Sequence, residues 1–456
     1  MSWNIEGKIG VKKSFYILLL TGIIQSCLSS IPDPTSNSAS NNANRYEKEV
    51  KFSTIAYQNR DDKKQLLARF SKKEIEPIVG RVPIHLGTAT QIANSLTKDL
   101  STDWEKAWVI FRWISENIDY DVTAYKAGRF YDTACSVTLK RGKAVCGGYA
   151  SLLEEMYEAV GIPCFTISGY ARGAGFTPGE STRSNHAWNA AKLSGKWYLM
   201  DATWGSGSID LETKQFKRKF KEFYFAGVPS ELILTHFPDN NRYQFLEKPI
   251  AKSEYSDKPL FNNTMQEFGI IPDPSLRLTM KSSGRSEYHF KHTTNESNLL
   301  VSAVHEKSGL KIEGLVELRD FTSKVLLHFP KKGRYLVTVY GGPFTLKNFP
   351  SMINWYEEVN GTAPELPISF NHFKQKQVQI TTPLQKKLSS KKVYDFELNC
   401  PHAIEVALVI KTNSKWLPLK KDGNRFYGKY KGEAYTVFAK YSENSKYVGL
   451  LEYEKE

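Results

Sequence analysis

The chain has 456 residues, of which 41% are hydrophobic and 13% aromatic, and it carries a formal net charge of +14. This composition excludes a wholly disordered chain, and the length exceeds what one ordinary core accommodates, so we expect two to four domains. The positive charge permits nucleic-acid binding, but the basic residues are scattered along the chain. The densest basic run, at residues 217–221, lies among aromatic side chains and is typical of a solvated face, so we predict no nucleic-acid partner.

Residues 1–26 have the pattern of a secretory signal peptide. Lysines precede an apolar run at residues 15–24, which is too short to span a bilayer comfortably. Cys27 follows Ile-Ile-Gln-Ser and resembles the lipobox cysteine of bacterial lipoproteins, although Gln25 is unusual in that box. We therefore predict an exported protein attached to a membrane through lipidated Cys27. Secretion (or a periplasmic location) without the lipid and a buried N-terminal helix are the alternatives.

A polar segment follows, and we assign residues 27–47 to a disordered tether. It consists mainly of small and polar residues, with too few apolar side chains to build a core. Such a segment would hold a folded domain away from a surface.

Two helices are predicted in the next domain, which we place at residues 48–255. Thr102 and Glu105 form a capping-box pattern, and apolar residues at helical spacing continue that helix to Ile118. The second helix begins at or just after Cys146, and a Gly-Ile-Pro sequence stops it.

Cys146 is the candidate nucleophile. A cysteine at a helix N-terminus meets unpaired backbone N–H groups and the positive end of the helix dipole, and both favour the thiolate. Gly147 and Gly148 add no side chains, so a substrate backbone could approach closely. The position alone is weak evidence, because most cysteines are small buried hydrophobes.

A predicted hairpin supplies the partners of this thiol. Ser194 and Gly195 fit a two-residue turn, and in that register Asp201 faces Trp188. His186 and Asp201 are then diagonal neighbours on one face, within reach of a hydrogen bond that orients the imidazole. A one-residue slip would place them on opposite faces. A structural strand histidine and an exposed strand-end carboxylate are the alternative interpretations, and the combination with Cys146 favours catalysis.

Beyond residue 255 the helical signals fade. Short strand-like runs recur at intervals of roughly ten residues, which is typical of β-sandwiches. We predict two sandwich modules, at residues 256–360 and 361–456, with similar late strands in each.

Three segments resemble the signatures of the transglutaminase-like, papain-related cysteine enzymes: GKAVCGGYA, NHAWNAAKLSGKWYLMDATWGSG and WVIFRWISENIDYD. Residues 223–246 are similar to the segment after the core in the kyphoscoliosis-peptidase branch of that superfamily. The resemblance implies an α+β, papain-like core followed by immunoglobulin-like β-sandwich modules. It also implies Cys146 as nucleophile, His186 as base and Asp201 as orienting acid. Some members of the branch have lost these residues and act as scaffolds, whereas this chain retains all three.

The remaining cysteines predict neither a metal site nor a disulfide framework. The chain has five cysteines with no CxxC pair and no metal-ligand spacing, and no acidic calcium loop appears. We therefore predict no metal and no cofactor. A single disulfide stays open among Cys135, Cys164 and Cys400.

The leading hypothesis is an exported cysteine enzyme that forms a thioester between Cys146 and an acyl group of a peptide or protein substrate. Water as acceptor gives hydrolysis, which we favour, and an amine gives crosslinking. The backbone N–H of Cys146 should bind the oxyanion; Tyr120 or Trp204 could add a second donor, although we favour a packing role for each. The alternative is a non-catalytic scaffold or adhesion protein with a relic core.

Overall fold

The computed structural model describes residues 45–47, 49–51, 54–56, 59–129, 133–173, 183–210, 213–262, 264–294 and 297–456. The predicted signal peptide, Cys27 and most of the predicted tether lie outside the described residues. The described chain forms two compact units, one ending at Tyr255 and the other beginning at Ser256. None of the described helices is long and apolar enough to cross a membrane.

The first unit begins with a series of helices. They are α1 Arg60–Leu67, α2 Lys72–Val79, α3 Ala89–Thr97, α4 Asp103–Asn117, α5 Val122–Lys126, α6 Cys135–Arg141 and α7 Cys146–Ala159. Shorter helices follow: α8 Ala202–Ser206, α9 Pro229–Leu232 and, at the junction of the units, α10 Lys252–Asp257. The capping box predicted for α4 is confirmed, since Thr102 Oγ1 accepts from the N–H of Glu105 and the Glu105 carboxylate accepts from the N–H of Thr102. The predicted start of α7 is also confirmed.

A four-stranded antiparallel sheet forms the other half of this unit, in the order β5–β4–β3–β8. The strands of the unit are β1 Asp119–Tyr120, β2 Lys143–Ala144, β3 Cys164–Ala171, β4 His186–Leu193, β5 Lys196–Met200, β6 Gly207–Ile209, β7 Phe216–Arg218 and β8 His236–Pro238. Ser194 (φ 46°) and Gly195 (φ 80°) form the turn between β4 and β5, as a two-residue hairpin requires. The pairing of Asn189 with Met200 confirms the predicted register.

Long-range hydrogen bonds within the core fix α7 against its neighbours. The hydroxyl of Tyr149 donates to the Ile118 carbonyl at 2.5 Å, and that of Tyr157 donates to the Ala107 carbonyl at 2.9 Å. On the sheet side, the Asn189 amide donates to the Ala150 carbonyl at 3.0 Å. These side chains are buried, so each contact is made where water cannot compete for the polar groups. The N-terminal end of α7 is thereby held in a fixed relation to β4.

The packed chain begins earlier than the sequence predicts. Tyr46, which we assigned to the tether, is 7% exposed and belongs to the core of the first unit. Its ring lies 5.5 Å from that of Trp197, and its hydroxyl donates to Glu158 at 2.6 Å. Tyr46 thus packs against the first unit although it lies within the segment assigned to the tether, because it finds there both an apolar pocket and an acceptor.

The second unit consists almost entirely of β-structure. One group of strands forms two sheets, β10–β12–β16–β15 and β11–β18–β17–β13–β14 with β9 beside β18, and another group forms β19–β28–β27–β23–β24 and β20–β22–β26–β25. The strands are β9 Leu260–Phe261, β10 Ile270–Ile271, β11 Thr279–Ser282, β12 Arg285–His292, β13 Ser297–His305, β14 Lys311–Glu313, β15 Leu315–Arg319, β16 Thr322–His328, β17 Gly333–Pro343, β18 Ser351–Val359, β19 Ile368–Ser369, β20 Gln379–Thr382, β21 Lys387–Leu388, β22 Val393–Asn399, β23 Glu405–Ile410, β24 Trp416–Pro418, β25 Lys420–Asp422, β26 Arg425–Lys431, β27 Tyr435–Lys440, β28 Val448–Glu452 and β29 Glu454–Lys455. Helices α11 Thr264–Glu267 and α12 Asn371–Gln375 interrupt them. The predicted α+β class with additional β-sandwich sheets is confirmed.

Candidate active site

Cys146 is the first residue of α7, and its side chain is partly exposed. The preceding residue, Val145, provides no side-chain cap for the N–H groups of Cys146 and Gly147, whereas the N–H of Gly148 donates to the Val145 carbonyl at 3.0 Å. A Cβ at Gly148 would lie 2.6 Å from the Ala144 Cβ and 2.8 Å from Thr138 Oγ1. Gly148 is therefore required for packing of the helix start, rather than for the approach of a substrate backbone that the sequence suggested.

His186 and Asp201 lie side by side in the buried interior of the site. The Nε2 atom of His186 donates to Asp201 Oδ2 at 2.8 Å, which confirms the predicted hydrogen bond. Asp201 follows the last residue of β5 and forms the N-cap of α8, where its Oδ1 accepts from the N–H of Trp204 at 2.9 Å. Asp201 is 1% exposed, so its charge depends on these donors and not on water.

The Cys146 side chain lies close enough to the imidazole of His186 to interact with it electrostatically. Because Nε2 is engaged with Asp201, Nδ1 is the nitrogen available to take a proton from the thiol. Burial lowers the pKa of His186, but the Asp201 carboxylate and the contact with Cys146 outweigh burial and raise this pKa above its ordinary value. The structure thus brings the three predicted residues together as sulfur, imidazole and carboxylate, with a base that is readily protonated.

Asp201 has a further partner that sequence reasoning missed. His236, the first residue of β8, donates from Nε2 to the same Asp201 Oδ2 at 2.9 Å. Burial raises the pKa of Asp201, but His186 and His236 outweigh burial and lower it below the usual range. The sequence marks the residues around His236 only through their similarity to the segment after the core. The pairing of β3 with β8, which places His236 beside Asp201, cannot be predicted from one sequence.

Three side chains of this site could together hold a metal ion. The ligand atoms of His186, Asp201 and His236 all lie within 4.8 Å of one another, and two imidazoles with a carboxylate are donors that zinc accepts. Each of these atoms already takes part in a hydrogen bond at 2.8 or 2.9 Å. The hydrogen bonds therefore account for the arrangement without an ion.

Two aromatic residues flank the reactive groups. The Trp204 ring lies 5.6 Å from the His186 ring and 4.5 Å from the His236 ring, so it packs over both imidazoles. Tyr120 pairs with Ala144 in β1 and β2, two residues before Cys146. Burial raises the pKa of Tyr120, and the charge of Cys146 raises it further, so its hydroxyl stays protonated and able to donate.

The other described cysteines differ from Cys146 in exposure. Cys135, Cys164 and Cys400 are buried, and all four described cysteines are free thiols, so the single disulfide left open by the sequence is not formed among them. Burial raises the pKa of the Cys164 thiol well above its ordinary value. Cys146 is therefore the thiol of this group that reagents can reach.

Residues 90–202 match the sequence profile of the transglutaminase-like superfamily, and all three predicted residues fall within this range. The chain thus carries a transglutaminase-like domain, as the sequence motifs indicated. His236 lies outside the matched range.

Among curated proteins, the chain is similar to the kyphoscoliosis peptidases of mouse and human, with 30% identity over 255 residues. That alignment covers 55% of this chain and 38% of each peptidase, so the chain spans well under half of their length. Hillarin of Drosophila melanogaster is 27% identical over 201 residues, which cover 40% of this chain and 24% of hillarin. A crystal structure of a TGase is 18% identical with a TM-score of 0.22, covering 40% of this chain and 43% of that one.

Proposed function

We propose that this protein is a cysteine enzyme that transfers acyl groups of peptide or protein substrates through a thioester on Cys146. The observation that carries the proposal is the 2.8 Å hydrogen bond between His186 and the buried Asp201 carboxylate, next to the Cys146 thiol at the start of α7. An imidazole oriented by a carboxylate and hydrogen-bonded to a thiol is the arrangement that activates a nucleophile. The start of α7 adds helix N–H groups that favour the thiolate.

The reaction would proceed in two halves. The Cys146 thiol gives its proton to His186 Nδ1, and the thiolate attacks the substrate carbonyl carbon. The resulting oxyanion accepts hydrogen bonds from the N–H of Cys146 and from a second donor, for which we propose the Tyr120 hydroxyl. When the tetrahedral intermediate collapses, the C–N bond breaks, the imidazolium protonates the leaving amine and the thioester remains.

The second half returns the enzyme to its starting state. His186 removes a proton from the acceptor as the acceptor attacks the thioester, and the sulfur leaves and recovers the proton. Water gives hydrolysis and a primary amine gives crosslinking, and the chemistry up to the thioester is shared. We favour hydrolysis, because the relatives with 30% identity are named peptidases.

The same proposal includes export. The N-terminal lysines, the short apolar run and Cys27 support cleavage before Cys27 and a lipid on its thiol. N-terminal sequencing and membrane partition of wild type and Cys27→Ala test this: loss of membrane association in the variant supports the lipid, and a retained Met1 on unprocessed protein rejects export.

Trapping of the acyl-enzyme tests the enzymatic function. The protein is incubated with a casein digest and hydroxylamine, which intercepts a thioester as a hydroxamate, and new peptide termini and released ammonia are measured in parallel. We expect hydroxamates with wild type and none with Cys146→Ala. Cys164→Ala serves as the matched control, because it removes a buried thiol outside the site.

A second readout does not depend on the choice of substrate. Iodoacetamide should alkylate Cys146 near neutral pH faster than a free peptide thiol, as read by mass spectrometry at each cysteine. If the folded protein alkylates Cys146 no faster than an unactivated thiol and forms no hydroxamate, the scaffold function replaces the enzymatic one.

A further inference from the structure

One oxygen of Asp201 serves two histidines. Oδ2 accepts from His186 at 2.8 Å and from His236 at 2.9 Å, while Oδ1 accepts from the N–H of Trp204 at 2.9 Å. His186 contacts Cys146, whereas the proposed mechanism uses no proton of His236. A buried histidine in contact with the acid therefore needs an explanation of its own.

The sheet explains how the two rings reach one carboxylate. His186 on β4 pairs with Gly169 of β3, and His236 on β8 pairs with Ala171 of the same strand. Residues two apart on a strand share a face, so both imidazoles project from one side of the sheet. The Trp188 ring and the backbone of β8 occupy the space that a side chain at Gly169 would need, and the two imidazole centroids lie 5.3 Å apart.

The surroundings of His236 fix its protonation state. Thr235 Oγ1 lies 2.8 Å from His236 Nδ1, and the neighbouring Nε2 contacts Asp201. Burial lowers the pKa of His236, the Asp201 carboxylate opposes this only in part, and the charge of His186 lowers it further. A neutral ring that donates from Nε2 accepts at Nδ1, so in this tautomer the Thr235 hydroxyl donates to Nδ1 at 2.8 Å instead of to the Leu232 carbonyl at 3.3 Å.

We propose that His236 is a positioning residue: as a neutral imidazole oriented by Thr235, it donates a permanent second hydrogen bond to Asp201 Oδ2 and holds the carboxylate against His186. The inference rests on the proposed function, since it concerns the geometry of the same nucleophile and base. A protonated His236 would compete with His186 for the negative charge of Asp201. The two histidines thus have different roles: His186 gains and loses a proton during the reaction, whereas His236 stays neutral.

The test compares two variants of His236, one that can still donate a hydrogen bond to Asp201 and one that cannot. In His236→Gln the side-chain amide can still donate to Asp201, whereas His236→Leu keeps the approximate volume and removes the donor. The readout is the rate of Cys146 alkylation by iodoacetamide as a function of pH, which needs no substrate. We expect His236→Leu to slow alkylation near pH 6.5 by about 10-fold or more, as loss of such outer hydrogen-bond partners commonly does, and His236→Gln to recover most of the rate.

Two further variants control for folding. His292→Leu removes another buried histidine, in the second unit, where Nε2 contacts Ser323, and should leave the alkylation profile unchanged. Thr235→Val removes the hydroxyl that fixes the His236 tautomer and should show an intermediate profile in a folded protein. Melting temperatures are measured for every variant, and Thr235→Val and His236→Gln carry the test if His236→Leu does not fold.

The outcomes separate this inference from the proposed function. If His186→Ala slows alkylation but folded His236→Leu has the wild-type pH profile, His236 is structural and the inference is overturned. If His186→Ala also keeps the wild-type profile, the proposed function itself fails. If purified wild type carries one equivalent of zinc that His236→Gln lacks, the cluster is a metal site and the positioning role is rejected.

Discussion

Trp204 contacts His186 through its ring and supports the partner of His186 through its backbone. The two ring centroids lie 5.6 Å apart, and the Trp204 N–H donates to the Asp201 carboxylate at 2.9 Å. Trp204, three residues after Asp201 in α8, therefore shields the His186–Asp201 pair from water with its ring and orients the Asp201 carboxylate with its N–H. In a low-dielectric surrounding the attraction between imidazolium and carboxylate is stronger than in water.

Replacement of the thiol separates catalysis from folding. Cys146→Ala removes a partly exposed side chain, so the free energy of unfolding should change by at most about 1–2 kcal/mol. Hydroxamate formation should fall to background, because the proposed mechanism offers no other nucleophile. Cys164→Ala should show the reverse, with a larger loss of stability and retained activity, as measured by denaturation and hydroxylamine trapping. Residual activity in Cys146→Ala above the level of a mock preparation would contradict the assignment.

Asp201→Asn should lower both the free energy of unfolding and the activity, because the Asp201 carboxylate accepts several hydrogen bonds. Each carboxylate oxygen accepts from an N–H group, and Oδ2 accepts from two of them. An amide must turn its NH₂ toward one of these donors, which leaves buried donors facing each other at a cost of about 1–3 kcal/mol. Alkylation of Cys146 near neutral pH should slow as well, since the amide stabilises the imidazolium poorly. Equal unfolding free energies for wild type and Asp201→Asn would reject this account of the acid.

A side chain at Gly169 should disturb the site from the sheet. A Cβ there would lie 2.4 Å from the Phe237 carbonyl oxygen, 2.5 Å from the Trp188 ring and 2.8 Å from the Pro238 Cα. Two of these atoms belong to the backbone of β8, so the strand that carries His236 must move. We expect Gly169→Ala to lower the unfolding free energy by about 1–3 kcal/mol and to slow alkylation of Cys146.

The matched control is Gly80→Ala, because nothing lies within 4 Å of a Cβ at Gly80. Reduced freedom of the unfolded chain should leave that variant as stable as wild type or more stable by about 0.4–1 kcal/mol. If both variants behave alike in urea denaturation, close packing of β8 on Gly169 is not what the site requires.

The pH dependence of stability should report the His186–Asp201 pair. The pKa of His186 is raised in the native state, so its stabilisation is complete below the unfolded value of about 6.5 and declines as the pH rises toward the higher native value. The pKa of Asp201 is lowered, so its stabilisation is present above about pH 3.9 and is lost as the pH falls further. The pair therefore contributes most between about pH 4 and 6.5.

Urea denaturation of wild type and His186→Gln at several pH values checks this expectation. His292, whose pKa burial lowers, contributes equally in both proteins, whereas the pKa of His236 depends on the charge of His186, so the difference between the two curves reports His186 together with its effect on His236. The difference should shrink between pH 6.5 and 9. A difference that stays constant over this range would show that His186 does not titrate against Asp201.

Local signals in the sequence were sufficient to predict the helix that begins at Cys146 and the hydrogen bond between His186 and Asp201. The capping box of Thr102, the turn at Ser194 and Gly195, and the register that sets His186 diagonal to Asp201 depend on residues close together in the chain. Such features follow from spacing and turn chemistry, and the structure reproduces them.

Contacts between distant segments could not be read in the same way. His236 reaches Asp201 because β8 pairs with β3, a contact between residues 169–171 and 236–238 for which the sequence contains no register signal. The packing of Tyr46 could not be predicted for a related reason, since its partners Trp197 and Glu158 lie more than a hundred residues away in the chain. The polarity of neighbouring residues therefore does not predict whether a side chain is buried when the residues that surround it come from distant parts of the chain.

The hydrogen bond between Asn189 and Ala150 links the strand that carries His186 to the helix that begins at Cys146. His186 and Asp201 belong to the β4–β5 hairpin and its end, whereas Cys146 begins α7, and the Asn189 amide donates to the Ala150 carbonyl of that helix at 3.0 Å. Loss of this hydrogen bond would leave the His186–Asp201 pair assembled, but it would allow the Cys146 thiol to move away from the imidazole. The position of the Cys146 thiol relative to His186 thus depends on a contact at Ala150, about one helical turn away along α7.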